Sequence, residues 1–389
     1  MKGWSRSRSE WPEVLIMEIL LRLPVKSLTR FNCICRSWWC CFQTSNFISK
    51  HHHINLKNNR LNLLCNRGVG NVIPYFTQLS TEQDDFLSAK HDIHLTYFKD
   101  SGFPPGVLGP CNGLLCFYNY GERNKTALWN PSTREFKTLP PSSTQPPSPG
   151  YNRVEDVGFG FDSNTGDYKV LQFVTLNFTW PDDDNPIPVG VDFAVELYSL
   201  KTDSWKEIPF TGFFPFRHNL CNSYVNGICY WQARTVCPPD PKYNPCVLSF
   251  DMVGDNFSTF SFPEFGGSVV DYMFQLLEFN GSLGVIIYPF QGPEKSFDLW
   301  VMNGAYTWTK QLCIESISGA ENPLGFWKNG DLFLETSDHQ LVLFDHHAGE
   351  VKRLGVKTFV GSMSVVAYAE SLVPINGTSE HKEYIIRQI

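Results

Sequence analysis

The first sixty or so residues carry a different apolar pattern from the rest of the chain. Between Val14 and Leu23, eight of ten positions are apolar, and only Glu18 and Arg22 interrupt them. A surface helix carries about three or four apolar residues per two turns, so this segment is apolar nearly all round and needs cover on more than one side. Pro12 suits the first helical turn, where its missing N–H costs nothing, and Glu13 complements the positive helix end. Pro24 ends this helix and can open a second, in which Leu28, Phe31 and Ile34 recur at spacing three. Arg36-Ser37 then leads to Trp38 and Trp39, on a third helical stretch reaching about Ile48. Three short helices in about forty residues lie at the size where a lone domain is barely stable. The pattern therefore predicts a helical front whose core is finished by another polypeptide.

From residue 56 the pattern changes to short apolar runs that read as strands, and it repeats. One motif is a strand ending in an aromatic, a turn, and a second bulky residue seven or eight positions on. It appears as LWNPSTREFKTLP (Trp129, Phe136), LYSLKTDSWKEIP (Tyr198, Trp205), SFDMVGDNFSTF (Phe250, Phe257) and LWVMNGAYTWTKQL (Trp300, Trp308), with a weaker copy in LFDHHAGEVKRL (Phe344, Val351). The first anchors are 69, 52, 50 and 44 residues apart. Repeats near fifty residues point to propeller blades or a similar array. A second motif, a turn followed by an apolar strand, precedes most of these: Asn112-Gly113, Asn226-Gly227, Asn280-Gly281 and Asn329-Gly330, with Asn164–Asp167 in the second repeat. Asn-Gly favours the tight turn whose twist matches a β-hairpin, because both residues tolerate positive φ. Each repeat thus reads as roughly four strands, with open edges and a face it cannot bury alone. Five repeats are counted, and pairing of Leu61–Cys65 with Ser364–Ala369 would make or close a further blade. The anchor aromatics are expected to pack between blades.

The stretch from Pro12 to Trp38 resembles the F-box, the module by which substrate receptors dock on a Skp-family adaptor in SCF ubiquitin ligases. The matching residues are Pro12, Leu15, Ile19, Leu20, Leu23, Pro24, Val25, Leu28, Arg30, Phe31, Arg36 and Trp38. The LPVKSL run followed by RF and then RSWW is similar to the plant form; Trp11 and Cys40-Cys41 depart from the family's usual residues. The repeats resemble kelch-type propellers, and more closely the F-box-associated domain of plant F-box proteins. GPCNGLL, LWNPSTREFKTLPP, GFGFDSNTGDYKV and VELYSLKTDSWKEI resemble the S-locus F-box and S-locus-F-box-like branch. The expected fold is mainly β with a small α-helical N-terminal module: a flexible start at 1–9, a three-helix F-box at 10–55, and a kelch-like β-propeller of five or six blades at 56–389.

Charge sharpens this picture. Residues 1–55 hold eight Lys/Arg and three Asp/Glu, net +5; the remainder holds 24 basic and 36 acidic residues, net −12. A basic front suits an acidic adaptor, and an acidic body suits a basic partner by long-range steering. Nucleic acid is disfavoured for the body, since binding it needs clustered cations. No run of about eighteen apolar residues suggests a membrane span, and no apolar signal core precedes the helical front. The expected location is cytoplasmic, with the nucleus also open. In that compartment the sequons at Asn124, Asn177, Asn256, Asn280 and Asn376 stay unmodified, and the twelve cysteines read as buried free thiols rather than disulfides. Cys33, Cys35, Cys40 and Cys41 are expected beside core positions on helices. His51–His53 lacks accompanying ligands and reads as a polar exit from the third helix. No metal or cofactor is expected.

Catalytic signatures are lacking. Gly158-Phe159-Gly160 begins like a dinucleotide loop, but Ser163 stands where the third Gly should be and a strand follows. No G-x-S-x-G elbow, P-loop or H-E-x-x-H occurs. The resemblance implies a non-catalytic substrate receptor. Pro12, Leu15, Ile19, Leu20, Pro24 and Leu28 would bind the Skp-family adaptor and, through it, a cullin scaffold. Three polar or Pro-rich stretches, Pro140–Gly150, Trp180–Gly190 and Val236–Cys246, read as surface loops, the usual place for recognition. Asp182, Asp183, Asp184 and Asp240 on them are candidate target contacts. The S-locus branch would imply S-RNase, the secreted style ribonuclease, as target. The alternatives are an F-box receptor paralogue with an unrelated cytosolic target, and a propeller enzyme with an accessory helical N-terminus.

Overall fold

The computed structural model describes residues 13–67, 75–81, 87–98, 105–119, 125–142, 151–178, 192–210, 223–235, 244–292, 294–304, 306–358, 363–375 and 386–388. Four helices come first: α1 (Glu13–Leu20), α2 (Val25–Phe31), α3 (Arg36–Phe42) and α4 (Ser45–Lys57). The expected third helix is thus two. The Thr44 side chain accepts a hydrogen bond from the Phe47 amide at 3.3 Å and starts a new helix there. His51–His53 lies inside α4 rather than at an exit.

Six antiparallel sheets follow, as a ring of blades. Blades 2 to 6 occupy residues 106–138, 151–207, 223–261, 272–318 and 320–357, each of four strands. Blade 1 joins the two ends of the chain. Its strand Leu61–Arg67 pairs with Ser364–Ala369 in the register Leu61↔Ala369 to Asn66↔Ser364, the expected ring closure. Ile386–Gln388 adds a fifth strand at the outer edge of this sheet, beside Leu87–Leu95. Closure of this kind leaves no blade face open to water.

The anchor motif has a simple geometry. Trp129↔Phe136, Tyr198↔Trp205, Phe250↔Phe257 and Phe344↔Val351 are directly opposed partners across the outer hairpin of their blades. Between them stands a turn whose first residue, Asn130, Ser199, Asp251 or Asp345, accepts amides two or three residues on through its side-chain oxygen. Asn130 caps Ser132 and Thr133, and Asp345 caps His347 and Ala348. Arg134, Asp203 and Asp255, and Gly349 in the last blade, take the positive φ that closes the turn. Blade 5 departs. Its turn falls later, closing at Asn303↔Thr307, which sets Trp300 opposite Lys310 and Trp308 opposite Met302, and a bulge follows between Leu299 and Trp300.

At Asn112-Gly113, Asn226-Gly227 and Asn280-Gly281 both residues have positive φ, as a twisted hairpin turn requires. Asn329-Gly330 instead lies in a 3-10 turn, Lys328–Gly330, with positive φ at Gly330 alone. The Gly158-Phe159-Gly160 segment is not a loop but part of the innermost strand of blade 3. A Cβ on Gly158 would stand 2.5 Å from the Trp231 ring, and one on Gly160 would stand 2.6 Å from Tyr224. These glycines let two aromatics of blade 4 seat against blade 3.

Six apolar clusters fill the six blade junctions, and a seventh fills the helical front. Trp129, Tyr198 and Phe250 are fully buried in three of the junctions, so the anchors pack between blades. Buried polar groups add cross-links. Lys169, on blade 3, meets Asp162 at 2.9 Å, and Asp255 at 2.8 Å and the Met252 carbonyl at 2.6 Å on blade 4. Burial works against its charge, but Asp255 and Asp162 prevail and hold Lys169 above its ordinary 10.5.

Candidate docking faces

The sequence of strand pairings gives the ring two distinct rims. The turns between first and second strands, and between third and fourth, gather at one rim. The connections between second and third strands, and between blades, gather at the other. The chain enters blade 1 at Leu61 opposite Ala369, so the helical front sits at the first rim with the Asn-Gly turns. A central cavity of about 1450 Å³ is lined by the innermost strands, by these turns, and by His52 and Leu56 of α4.

The front is fastened to the propeller by the segment after the closing strand. The Glu370 carboxylate accepts the Val25 amide at 2.7 Å. That contact matters because α2 begins at Pro24, which has no side chain able to cap it. His52 Nδ1 donates to the Glu370 carbonyl at 3.2 Å, and Leu372 packs into the helical core beside Leu20, Leu28, Phe42 and Phe47. Part of the cover that the apolar helices need is therefore supplied by the far end of the same chain. His51 is fully buried. Its Nε2 donates to the Leu23 carbonyl at 2.8 Å, while Nδ1 accepts from Asn55 at 3.3 Å. Burial pushes both His51 and His52 below their ordinary 6.5.

The sequence-derived adaptor set divides. Leu15 is 47% and Ile19 56% exposed, four residues apart on the outer side of α1, and Pro24 is also exposed. Leu20 (2%) and Leu28 (0%) face inward and belong to the protein's own core. In this fold they support the outer face rather than form it. Pro12 lies outside the described residues. Val14, Ile34 and Trp39 are outward-facing apolar residues that sequence reasoning left out of the set. Six of the ten large apolar side chains exposed among the described residues fall within residues 13–57, a concentration that marks an unpartnered surface. Cys33, Cys35 and Cys40 are exposed on the same module, not set beside its core, and Cys41 is half-buried. The Ser37 hydroxyl beside Cys35 holds its thiol below the ordinary 9.0. Cys65, Cys111, Cys116, Cys229 and Cys246 are buried as expected, whereas Cys313 is exposed.

Asp182, Asp183, Asp184 and Asp240 lie outside the described residues. The stretches that carry them are bounded by Phe178 and Asp192, and by Thr235 and Asn244; the strand from Asn244 takes in the last residues expected in the third loop. Thr138 and Tyr151 bound the remaining stretch. All these strand ends stand at the second rim, away from the helical front. Among the described residues no group of His, Cys, Asp and Glu could hold a metal ion, and no helix is long and apolar enough to cross a membrane.

A closed ring of six blades, five of four strands and one of five, behind a small helical module defines a β-propeller protein with a helical N-terminal module. The chain belongs to the F-box associated beta propeller domain family, whose model matches residues 63–337. Similar proteins include F-box protein CPR1 of Arabidopsis thaliana, 26% identical over 382 residues, covering 93% of this chain and 88% of that protein. An F-box/kelch-repeat protein of the same plant is 26% identical over 354 residues, covering 87% and 86%. The chain is thus a plant F-box protein with an F-box-associated domain. Among solved structures, a Pseudomonas aeruginosa periplasmic gluconolactonase covers 80% of this chain and 99% of its own, at 14% identity and a TM-score of 0.41. A likeness that distant carries no argument about activity.

Proposed function

We propose that this protein is the substrate-recognition subunit of an SCF-type ubiquitin ligase. The helical front docks on a Skp-family adaptor, and through it on a cullin scaffold, by way of Leu15, Ile19 and Pro24 with Val14, Ile34 and Trp39. The propeller holds a protein target at the rim away from the front. Ubiquitin transfer then follows from holding target lysines near a charged conjugating enzyme, a proximity effect that asks for no catalytic group in this chain. The observation that carries this reading is the opposition of the two faces. An unpartnered apolar helical surface lies at one rim, and the connections long enough to recognise a protein are bounded by strand ends at the other.

The finer reading takes a basic secreted ribonuclease of the S-RNase class as target. Its support is the net −12 of residues 56–389 and the motif resemblance. Reconstitution with adaptor, cullin and conjugating enzyme tests both levels. Ubiquitination of a bound S-RNase supports the finer reading. Assembly with the adaptor but no S-RNase binding leaves a receptor for another cytosolic target. Failure to assemble with any Skp-family adaptor overturns the receptor reading.

A further inference from the structure

Four of the exposed apolar side chains lie outside the helical front, and two of them stand together on blade 5. Val269 (39% exposed) is in the 3-10 turn Val269–Asp271, which leads into the innermost strand Tyr272–Phe279. Phe290 (55% exposed) follows the second strand, Ser282–Pro289. Tyr272 and Pro289 are paired across the sheet, and the Phe290 amide donates to the Asp271 carbonyl at 2.9 Å. The two turns are therefore tied to each other by backbone. The strand that starts at Tyr272 is itself packed: Phe265 meets Tyr272 and Phe274 edge-on, at 5.2 and 5.4 Å between ring centroids. Both turns stand at the second rim, opposite the helical front.

The segment that carries this pair has charge of one sign. From Phe262 to Glu294 the sequence holds four carboxylates, Glu264, Asp271, Glu278 and Glu294, and no Lys, Arg or His. Glu278 belongs to the other rim, where its carboxylate accepts the Gly281 amide. Glu264, Asp271 and Glu294 are exposed and lie within five residues of Val269 or Phe290 along the chain. Lys295, the next residue along, is buried and committed to Glu321 at 2.6 Å. An exposed aromatic and an exposed aliphatic tied by backbone, with exposed carboxylates on the same segment, have the anatomy of an interface anchor with a charged surround.

We infer that the Val269–Phe290 surface of blade 5, with Glu264, Asp271 and Glu294 around it, is a target-contact site that takes a basic polypeptide segment bearing an apolar side chain. The apolar side chain seats on Val269 and Phe290. The Lys or Arg residues beside it meet the carboxylates, and a guanidinium can also lie on the Phe290 ring. This site rests on the receptor reading above for its biological use, and it lies apart from the polar stretches singled out from the sequence.

The experiment uses the full chain bound to its Skp-family adaptor. The probes are synthetic twelve-residue peptides with a central Leu flanked by Arg and Lys, and matched peptides with Glu and Asp in place of the basic residues. Wild-type protein is expected to hold the basic series and not the acidic one, with affinity falling as salt is raised. V269S/F290S is expected to weaken the basic series about tenfold or more, and E264Q/E294Q to flatten the salt dependence, both with adaptor capture unchanged. Equal binding of the two series, or unchanged binding of the basic series by V269S/F290S, overturns the site while the receptor reading stands. Loss of adaptor capture by wild-type protein with basic-peptide binding retained overturns the receptor reading and keeps the site.

Discussion

Glu370 is the residue on which the attachment of the helical front to the propeller can be tested with one substitution. Its carboxylate lies 2.7 Å from the Val25 amide and serves α2 as the cap that Pro24 lacks. Three effects act through this contact. A lost N-cap costs about 1 kcal/mol. A negative group at a helix N-terminus contributes about 0.3–1 kcal/mol. A hydrogen bond to a charged partner is worth about 1.5–3 kcal/mol. They describe one interaction in overlapping ways, so Glu370→Ala is expected to destabilise the front by about 2 kcal/mol, or roughly thirtyfold in its opening equilibrium. Amide hydrogen exchange reads this residue by residue. Exchange in α2 and at the start of α4 should accelerate about thirtyfold, while the blade junctions keep wild-type protection. Glu370→Gln keeps an acceptor without the charge and should fall between the two. Unchanged exchange in α2 for Glu370→Ala would refute the capping role, and a Gln variant as damaged as the Ala variant would refute the place of hydrogen bonding in it.

Two further outcomes are expected. Gly158→Leu should lower the melting temperature by several degrees, because even a Cβ would sit 2.5 Å from the Trp231 ring between blades 3 and 4; a melt equal to wild type would contradict the packing. Acidification should loosen the front. His51 and His52 are held below 6.5 in the folded chain, so the unfolded chain takes up protons first as pH falls. Their stabilising contribution is present above about pH 6.5 and is lost below it. Amide exchange in α4 compared at pH 7.5 and pH 5.5, corrected for intrinsic rates, checks this; no extra opening at the lower pH would contradict it.

Much of the ring is legible in the sequence because its turns are chemically marked. Asn-Gly turns need positive φ at both positions. An Asn cap at Asn130 and a Ser cap at Ser199, each four residues before a left-handed residue, place Trp129 opposite Phe136 and Tyr198 opposite Trp205 without any knowledge of the tertiary fold. Ring closure is readable for a different reason: Leu61–Cys65 and Ser364–Ala369 are apolar strands that stand outside the five marked repeats, one before them and one after. The later turn of blade 5, closing at Asn303↔Thr307, carries no such mark, so the Trp300–Trp308 pair is read two residues out of register. Thr44 is hidden because Phe42, Phe47 and Ile48 keep the apolar pattern running through the cap.

The helical front shows a sharper limit. A segment apolar nearly all round has no polar side to orient it, so periodicity cannot say that Ile19 points out and Leu20 points in. What turns Leu20 and Leu28 inward is packing against Phe42, Phe47 and Leu372, the last contributed from more than three hundred residues away. The same reason keeps Val14, Ile34 and Trp39 out of a docking set chosen by motif. Their exposure is visible only once the fold has decided which side is covered.

The outer face of α1 offers the most direct measurement. Purified full-length protein is titrated with a plant Skp-family adaptor, as wild type and as L15D/I19D. Both side chains are about half exposed, so the variant should melt within a degree or two of wild type. Its affinity for the adaptor should fall at least about a hundredfold, roughly 3 kcal/mol, because two apolar contacts become two charges that docking must desolvate. Adaptor binding by the double variant as tight as that of the wild type would contradict the assignment of this face.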